Sequence, residues 1–330
     1  MISPTTTHWA GRPVLVTGAD GYIGSHLTES LISRGARVTA VVRRTSAAQV
    51  TNRFRNLSAT AVDVLERVVH VDLAGPSAVD VLSRLEADTW FHLAADAYVP
   101  ASLDQPADVV RTNVMSTLNV LQAAQSRQPA HLLVTSSSEV YGSQKDAITE
   151  QHPLNPATPY AASKVACDRL AWAWHHTYGL PLTIVRPFNS YGPRHIYDAV
   201  PLFLARALRG EPITINGNGE QTRDLTFVTD TVAGFLALAE LPAAGEAYNI
   251  GTGVDHRIID VARAIVKLTG SGSDIVHGPA RSGEVIKLQA NPAKLTGATG
   301  WRAQYDLATG LAANLSWMRE HVETVWSTRS

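Results

Sequence analysis

The first half of the chain alternates short runs of β-branched and other apolar residues with longer segments of helical periodicity. Strands that alternate with helices at this spacing predict a parallel sheet covered by helices on both faces. The predicted strands lie at 14–17, 38–42, 68–71, 90–93, 132–135 and 182–185, and the predicted helices at 23–33, 77–85, 109–126 and 160–176.

The composition and the hydrophobic pattern of the sequence change after Pro187. Gly and Pro become frequent there, and predicted helices alternate with irregular segments. We therefore predict an α/β, doubly wound (Rossmann) domain over residues 1–187 and a smaller C-terminal domain over 188–330. Parts of the C-terminal half are expected to return to the sheet. The stretch 210–219, rich in Gly and Asn, is predicted to form a hairpin.

Composition and charge exclude several classes of protein. Of the 330 residues, 45% are hydrophobic, and 28 Lys and Arg stand against 29 Asp and Glu, so no general electrostatic field favours nucleic acid or anionic lipid. Cys167 is the only cysteine, which excludes an intrachain disulfide. The start of the chain does not resemble a signal peptide, and no apolar run reaches the roughly 18 residues of a membrane span. A cytoplasmic protein is expected.

A glycine-rich turn joins the first predicted strand to the first predicted helix. Gly18, Gly21 and Gly24 form a G-x-x-G-x-x-G pattern, with Tyr22 and Ile23 opening the helix. Glycines at this spacing permit a tight turn, a close approach of backbone amides to a pyrophosphate, and close packing of helix on strand. The helix N-terminus offers unpaired N–H groups to the anion. In this position the pattern predicts a dinucleotide site.

The end of the second strand indicates which dinucleotide is bound. A carboxylate there would bind the ribose 2′-hydroxyl of NAD, but Arg43 and Arg44 stand in its place. Two guanidinium groups are suited to a 2′-phosphate, so the sequence favours NADP over NAD, although both arginines can also be ordinary surface residues. Further cofactor contacts are predicted after the third and fourth strands, at Asp72, Leu73, Leu93, Ala94 and Ala95.

A second constellation carries acid–base chemistry. Tyr160 and Lys164 are four residues apart and so share one face of a helix. A free tyrosine titrates near about 10, and a neighbouring ammonium favours the phenolate, which can then act as a general base. Ser137 lies just past the fifth strand, at the sheet edge where α/β folds bind ligands. Its hydroxyl is placed to bind the substrate oxygen that Tyr160 deprotonates.

The co-occurrence of these motifs, in this order, resembles the extended short-chain dehydrogenase/reductase family, in its nucleotide-sugar epimerase/dehydratase branch. The resemblance runs from Val14 to about Trp317 and is closest in motif to GDP-sugar 4,6-dehydratases. It implies that Tyr160 and Lys164 are the catalytic pair, that both also contact the cofactor, Lys164 at its ribose, and that Ser137 is the hydroxyl partner. It also implies a nicotinamide cofactor that is tightly bound and regenerated at each turnover, and a nucleotide-diphosphate sugar as substrate.

The same resemblance assigns substrate contacts to the C-terminal, substrate-binding domain. The segment 185–193 is similar to the family's sugar-binding segment and places Asn189 near the sugar diphosphate. Arg223 matches the arginine that grips the diphosphate in the family. Arg281 and Glu284 resemble a nucleotide-contacting segment of GDP-mannose 4,6-dehydratases and related enzymes.

The residues after Ser137 bear on the reaction. Dehydratases commonly carry Glu at the position of Glu139, where it serves as the base at C5, whereas 4-epimerases usually carry a non-acidic residue. Ser138 departs from the dTDP-glucose dehydratases, which have an Asp there that acts as the acid for the leaving 6-hydroxyl. UDP-glucuronate decarboxylases also carry a Ser-Glu pair. The sequence therefore favours a 4,6-dehydratase, with a 4-epimerase and a UDP-uronate decarboxylase as alternatives; Glu139 can also simply cap the following loop.

Other functions are less favoured. A non-enzymatic dinucleotide sensor would not need Tyr160, Lys164 and Ser137. No metal-ligand spacing exists among the twelve histidines, and His175–His176 project to different sides of a helix, so no metal site is predicted. Relatives often pair through the two long helices at 109–126 and 160–176, which makes a homodimer or higher assembly the expectation.

Overall fold

A computed structural model describes residues 6–43 and 54–327 of the chain. These residues form two compact units. The first unit contains Met1–Val140, Thr158–Arg186 and Val232–Tyr248, and the second contains Tyr141–Ala157, Pro187–Thr231 and Asn249–Ser330. One border between the units thus falls at Pro187, and a C-terminal segment returns to the first unit.

The first unit is built on a seven-stranded sheet. Its strands are β1 Pro13–Thr17, β2 Arg37–Val42, β3 Arg67–His70, β4 Thr89–His92, β5 His131–Thr135, β6 Leu182–Pro187 and β10 Ala247–Ile250, the last of which continues into the second unit. The strand order is β10-β6-β5-β4-β1-β2-β3, and each pair from β3 to β6 runs parallel. This order confirms the predicted doubly wound Rossmann sheet. Because the order reverses between β1 and β4, the carboxyl ends of the strands open a crevice there.

One short helix precedes these strands and the others connect them, as the helical periodicity predicts. They are α1 Thr6–Trp9, α2 Tyr22–Ser33, α3 Ala59–Asp63, α4 Ala78–Leu82, α5 Val99–Asp104, α6 Pro106–Arg127 and α7 Pro159–Tyr178, with a short 3₁₀ helix at Ser138–Tyr141. The ends of α7 have clear causes. The Thr158 side chain accepts a hydrogen bond from the Ala161 amide at its start, and Gly179 ends it in the left-handed conformation.

The second unit contains smaller sheets and the remaining helices. Its elements are β7 Asn189–Tyr191, α8 Ala199–Arg209, β8 Ile213–Asn216, β9 Thr222–Phe227, α9 Val228–Ala239 (which crosses into the first unit), β11 Asp255–Arg257, α10 Ile258–Thr269, β12 Ile275–Gly278, β13 Lys287–Leu288, α11 Ala293–Thr299 and α12 Leu307–Ser327. The strand β9 is central, since β7, β11 and β13 all pair with it.

The predicted hairpin at 210–219 is wrong. The segment holds one strand, β8, which pairs in parallel with β12, more than fifty residues further along the chain. The Gly and Asn residues after β8 do form a turn, in which the Gly217 amide donates a hydrogen bond to the Gly278 carbonyl (3.0 Å). Turn chemistry alone does not identify a strand's partner, which in this case is a distant segment.

Each unit has its own apolar core. In the first, side chains of the sheet such as Leu15, Trp90 and Ile184 pack against Leu121 of α6. In the second, α8, α10 and α12 pack around the β9 sheet. The buried side chains there include Phe203, Leu204, Phe227, Ile265, Leu311 and Met318. No helix in the described part of the chain combines the length and apolar character needed to cross a bilayer.

Two histidines are buried in the first unit with hydrogen-bond partners for both ring nitrogens. His131 contacts the Ala239 carbonyl (3.3 Å) and the Thr183 hydroxyl (2.9 Å). His92 contacts the hydroxyls of Thr17 and Thr117. Burial lowers the pKa of His131 to about 4, and burial together with Lys164 lowers that of His92 to about 3. Both imidazoles are therefore neutral in the folded protein at neutral pH.

These pKa shifts predict a loss of stability in mild acid. Below the unfolded-state pKa of about 6.5, the unfolded chain binds protons that the folded chain does not, so the free energy of unfolding falls with pH. The loss is about 1.4 kcal/mol per histidine per pH unit, and it ends near the folded-state pKa. His131→Gln should therefore flatten the dependence of unfolding free energy on pH between about 6.5 and 4, measured by urea denaturation. The exposed His70→Gln is the control, and an equal slope in both variants would contradict the assignment.

Candidate active site

The glycine turn has the geometry of a pyrophosphate cradle. Gly18 adopts φ +68°, and a Cβ on it would lie 2.8 Å from the Ala94 nitrogen. A Cβ on Gly24 would collide with the Gly18 carbonyl oxygen. Gly21 begins α2 as its N-cap, and no side chain caps the helix. A helix N-terminus without a capping side chain is suited to an anion, and the residues present fit a dinucleotide pyrophosphate.

The close approach of Gly18 to Ala94 is held by a buried polar chain. The Ala94 amide donates to the Thr17 hydroxyl (3.2 Å), and that hydroxyl contacts His92 Nδ1 (2.8 Å). His92 Nε2 contacts the Thr117 hydroxyl of α6 (3.1 Å). The ends of β1 and β4 are therefore fixed to each other and to a helix. The sequence motifs do not predict these roles for His92 and Thr17, although a polar residue ends each of two buried strands.

The other predicted cofactor residues lie at the carboxyl ends of adjacent strands. Arg43 follows β2 and is exposed, whereas Arg44 lies outside the described residues. Asp72 follows β3 and accepts a hydrogen bond from the Ala74 amide, and the carbonyl of the buried Leu73 accepts one from Asn119. Tyr22 and Ile23 open α2, and the stretch 93–95 follows β4. The sheet order thus gathers four predicted contact segments along one edge.

Lys164 is anchored at the end of β5. Its Nζ donates to the Thr135 carbonyl (2.7 Å), and the side chain is only 4% exposed. Burial lowers the pKa of the Lys164 ammonium, an effect that Cys167 and Asp168 partly oppose. Because Tyr160 lies one turn earlier on α7, this bond fixes the helix face that carries both residues to the strand that leads into Ser137.

A second set of bonds holds the first turn of α7. Ser163 Oγ donates to the Tyr160 carbonyl (2.7 Å) and accepts from Asn113 Nδ2 of α6 (2.9 Å). The Asn113 amide also bonds to the backbone of Asp96 beyond β4. Tyr160 is buried in this arrangement. Asn113 was missed because the pattern of α6 shows only that its side chain is polar, not that it faces α7.

An ion pair fixes the next turn of α7. The Asp168 carboxylate accepts from Arg186 of β6 at both Nε (2.8 Å) and Nη2 (3.0 Å), and also from Arg169. Burial by itself raises the pKa of Asp168, but the two guanidinium groups outweigh it and hold the pKa below the usual value. The helix that carries Tyr160 and Lys164 is thereby tied to β6 as well as to β5.

Ser137, Ser138 and Glu139 form a tight turn after β5. The two serines are buried, and the Glu139 amide donates to Ser137 Oγ (3.2 Å). Glu139 is half-buried in the 3₁₀ helix. The structure therefore places the predicted hydroxyl and the predicted carboxylate in one turn at the end of the strand that also receives Lys164. Among the described residues, no group of three or more His, Cys, Asp or Glu is arranged to hold a metal ion.

The predicted substrate residues are grouped in the second unit. Arg223 Nη2 pairs with Glu284 (2.8 Å), while its Nη1 donates to the carbonyls of Thr222 and Val285. Asn189 of β7 pairs in register with Leu225, two residues beyond Arg223, and its Oδ1 is buried with no hydrogen-bond partner in the structure.

Arg281 lies near the same segment. With the Asn216 amide oriented so that its oxygen faces the guanidinium, that oxygen accepts from Arg281 Nε (2.6 Å) and Nη2 (2.9 Å). Three of the four predicted residues thus belong to β7, β9 or the turn before β13. The fourth, Arg281, is held by Asn216, the last residue of β8.

A glycine turn that fits a dinucleotide pyrophosphate lies on a doubly wound sheet, with a buried Tyr-x-x-x-Lys helix at the same edge. These features are typical of a dinucleotide-dependent α/β enzyme. A sequence profile of the NAD dependent epimerase/dehydratase family matches residues 14–251. The chain therefore belongs to the NAD dependent epimerase/dehydratase family. This confirms the predicted extended short-chain dehydrogenase/reductase branch and the prediction of an enzyme.

Similar proteins carry out all three of the reactions considered above. The chain is 32% identical to a dTDP-glucose 4,6-dehydratase of Xanthomonas campestris pv. campestris, over 92% of each chain. It is 31% identical to UDP-glucuronic acid decarboxylase 1 of Xenopus tropicalis, over 94% of this chain and 73% of that protein.

Solved structures give the same result. MoeE5 in complex with UDP-glucuronic acid and NAD is 34% identical, with a TM-score of 0.84 over 93% of this chain and 99% of that one. A UDP-glucose 4-epimerase of Thermotoga maritima, with UDP-glucose, is 29% identical, with a TM-score of 0.84 over 94% and 99%. The predicted dehydratase function and both alternatives are thus matched by relatives.

The role of Tyr160 is tested by removal of its hydroxyl. Tyr160→Phe should lower kcat by about 100-fold or more, because general acid–base catalysis by a positioned side chain contributes at least that much. The dissociation constant of the dinucleotide, measured by titration calorimetry, should stay within about twofold. Tyr178→Phe, an exposed tyrosine at the other end of the same helix, is the control. Unchanged turnover in Tyr160→Phe would remove this residue from the reaction.

Proposed function

We propose that this protein is a nucleotide-diphosphate-sugar 4,6-dehydratase. The observation that carries the proposal is the turn after β5, in which the amide of Glu139 is bonded to Ser137 Oγ. Ser137, whose hydroxyl is suited to the sugar O4, and Glu139, whose carboxylate is suited to C5, thus lie in one turn. This turn follows the strand whose last carbonyl, that of Thr135, binds Lys164. The dTDP-glucose 4,6-dehydratase relatives support the same reaction.

In this mechanism each residue has a separate task. Tyr160 accepts the O4 proton, Ser137 orients O4, and Lys164 supplies the positive charge that favours the phenolate. Bound NAD(P) supplies a hydride acceptor and, once reduced, a hydride donor. Glu139 removes the proton from C5 of the 4-keto sugar, whose carbonyl makes that hydrogen acidic. Glu139 would pass the C5 proton, directly or through the Ser138 hydroxyl, to the departing 6-hydroxyl, which leaves as water. A hydride returned to C6 and a solvent proton delivered to C5 would then complete the 4-keto-6-deoxy product, while Tyr160 releases the O4 proton to solvent.

Binding of the substrate is assigned to the second unit. Arg223 and Arg281 are two guanidinium groups held by neighbouring carbonyl, amide and carboxylate oxygens, which suits them to a diphosphate. Asn189 has a buried amide oxygen available to a sugar hydroxyl. Glu284 is placed beside Arg223, where a ribose hydroxyl donor would meet it.

The reaction is tested with purified protein and a panel of nucleotide hexoses. We expect a 4-keto-6-deoxy product, detected by its absorbance in base. Glu139→Gln should lower its formation by about 100-fold and abolish solvent deuterium uptake at C5, while reduction of the dinucleotide still occurs. Glu86→Gln, a strongly exposed carboxylate in the same unit, is the control. A product that keeps its 6-hydroxyl and changes only at C4 would identify a 4-epimerase instead.

A UDP-uronate decarboxylase is the second candidate function. It is favoured by the Ser138-Glu139 pair and by the likeness to UDP-glucuronic acid decarboxylase 1. Carbon dioxide leaves directly from a 4-keto uronic acid, so this reaction needs no base at C5. Release of carbon dioxide from UDP-glucuronic acid, undiminished in Glu139→Gln, would select it over dehydration.

The choice between NADP and NAD is part of the proposal. The family as a whole is NAD dependent, which favours NAD. Arg43, by contrast, is exposed directly after β2, where its guanidinium is suited to the 2′-phosphate of NADP. Arg43→Ala should therefore weaken NADP binding by about tenfold and NAD binding much less, measured by calorimetry. Arg37→Ala, at the opposite end of β2, is the control. An equal small effect on both dinucleotides would contradict the preference for NADP.

We also propose a cytoplasmic homodimer or larger assembly that pairs through α6 and α7. Exposed apolar side chains support the pairing, among them Val110 and Met115 of α6 and Trp172 of α7, which is 45% exposed. Sedimentation equilibrium gives the mass of the assembly, and a monomer would exclude this pairing.

A further inference from the structure

Asp20 lies inside the glycine turn and accepts three successive backbone hydrogen bonds. Its Oδ2 accepts from the Arg55 amide (2.8 Å), and its Oδ1 accepts from the amides of Asn56 (2.8 Å) and Leu57 (3.0 Å). The Asn56 side chain returns a fourth bond, from Nδ2 to the Asp20 carbonyl (2.7 Å). Both the side chain and the main chain of the turn are thereby joined to the segment 55–57.

The position of residues 55–57 along the chain indicates what their contact with Asp20 does. Arg43 follows β2, whose carboxyl end is where dinucleotide-binding sheets hold the adenosine ribose. Residues 55–57, further along the chain, contact the glycine turn that follows β1. Asp20 therefore joins the glycine turn to residues 55–57, just before α3 begins at Ala59.

The chemistry of the residue explains why a carboxylate is tolerated in such a turn. A free carboxylate beside a pyrophosphate would repel it, since like charges at short range disfavour each other's ionised forms. Here three amide donors face the carboxylate, and hydrogen bonds to an ionised acceptor are roughly twice as strong as neutral ones. We therefore assign the Asp20 carboxylate to holding the backbone of residues 55–57 rather than to binding the dinucleotide.

We propose that Asp20 is a positioning residue for the dinucleotide. By fastening residues 55–57 to the glycine turn, it holds that turn in the shape that approaches the pyrophosphate and so raises the affinity for the ADP half of the cofactor. The proposal goes beyond the reaction assigned above, and it applies equally if the protein is a dehydratase, an epimerase or a decarboxylase.

The experiment compares dinucleotide binding in four variants after bound cofactor has been removed. Asp20→Ala should raise the dissociation constants of NAD and of ADP by about tenfold or more, because ADP carries the same adenosine and pyrophosphate. Asp20→Asn should be intermediate, since one acceptor oxygen remains for two of the amides. Asn56→Ala removes only the returning bond and should have a smaller effect in the same direction. Asp63→Ala removes an exposed carboxylate at the end of α3 and should match the parent protein.

A purely structural role is separated by two further measurements. The affinity for UDP, a nucleotide diphosphate bound through other residues, should be unchanged in Asp20→Ala, and the circular dichroism spectrum should match that of the parent. Unchanged NAD and ADP affinities, within about twofold, would overturn the proposal. An equal loss of UDP affinity would overturn it as well. If Asp20→Ala does not fold, Asp20→Asn and Asn56→Ala carry the comparison. None of these measurements requires turnover, so they stand even if no nucleotide sugar is converted.

Discussion

The arrangement of the proposed catalytic residues depends on the buried bond from Lys164 to the Thr135 carbonyl. A buried ammonium is unfavourable unless oxygens surround it, and here the oxygen belongs to the last residue of β5. The bond therefore joins helix α7 to the strand that leads into Ser137. Tyr160, one turn earlier, takes its place on the same face as a consequence. The Asp168–Arg186 pair ties the next turn of α7 to β6 in the same way.

The cofactor edge depends on a different constraint, the contact between two backbones. Gly18 and Ala94 approach so closely that a Cβ on Gly18 has no room. The Thr17 and His92 side chains hold the two strand ends at that separation. Because His92 is buried and neutral, the polar chain does not place a charge behind the pyrophosphate turn. Asp20 adds a second restraint to the turn through its hydrogen bonds to residues 55–57.

Much of this could be predicted from the order of residues. The alternation of strands and helices, the glycine spacing and the Tyr-x-x-x-Lys pair are local patterns, and the structure places them where the sequence predicted. The hairpin at 210–219 was wrong because β8 pairs with a strand far along the chain. Asn113, Asp168 and Asp20 were overlooked for a related reason, since each acts through a partner that is distant in sequence.

The sequence by itself determined the sheet architecture, the dinucleotide turn and the residue types available for acid–base chemistry, because these follow from short-range periodicity and steric limits. The tertiary structure decided which polar groups meet. Only the fold gives Lys164 a carbonyl on β5, gives Arg223 a carboxylate partner at Glu284, and gives Asp20 its three amides. Long-range hydrogen bonds depend on where the packed elements bring their ends, and no local pattern in the chain encodes that position.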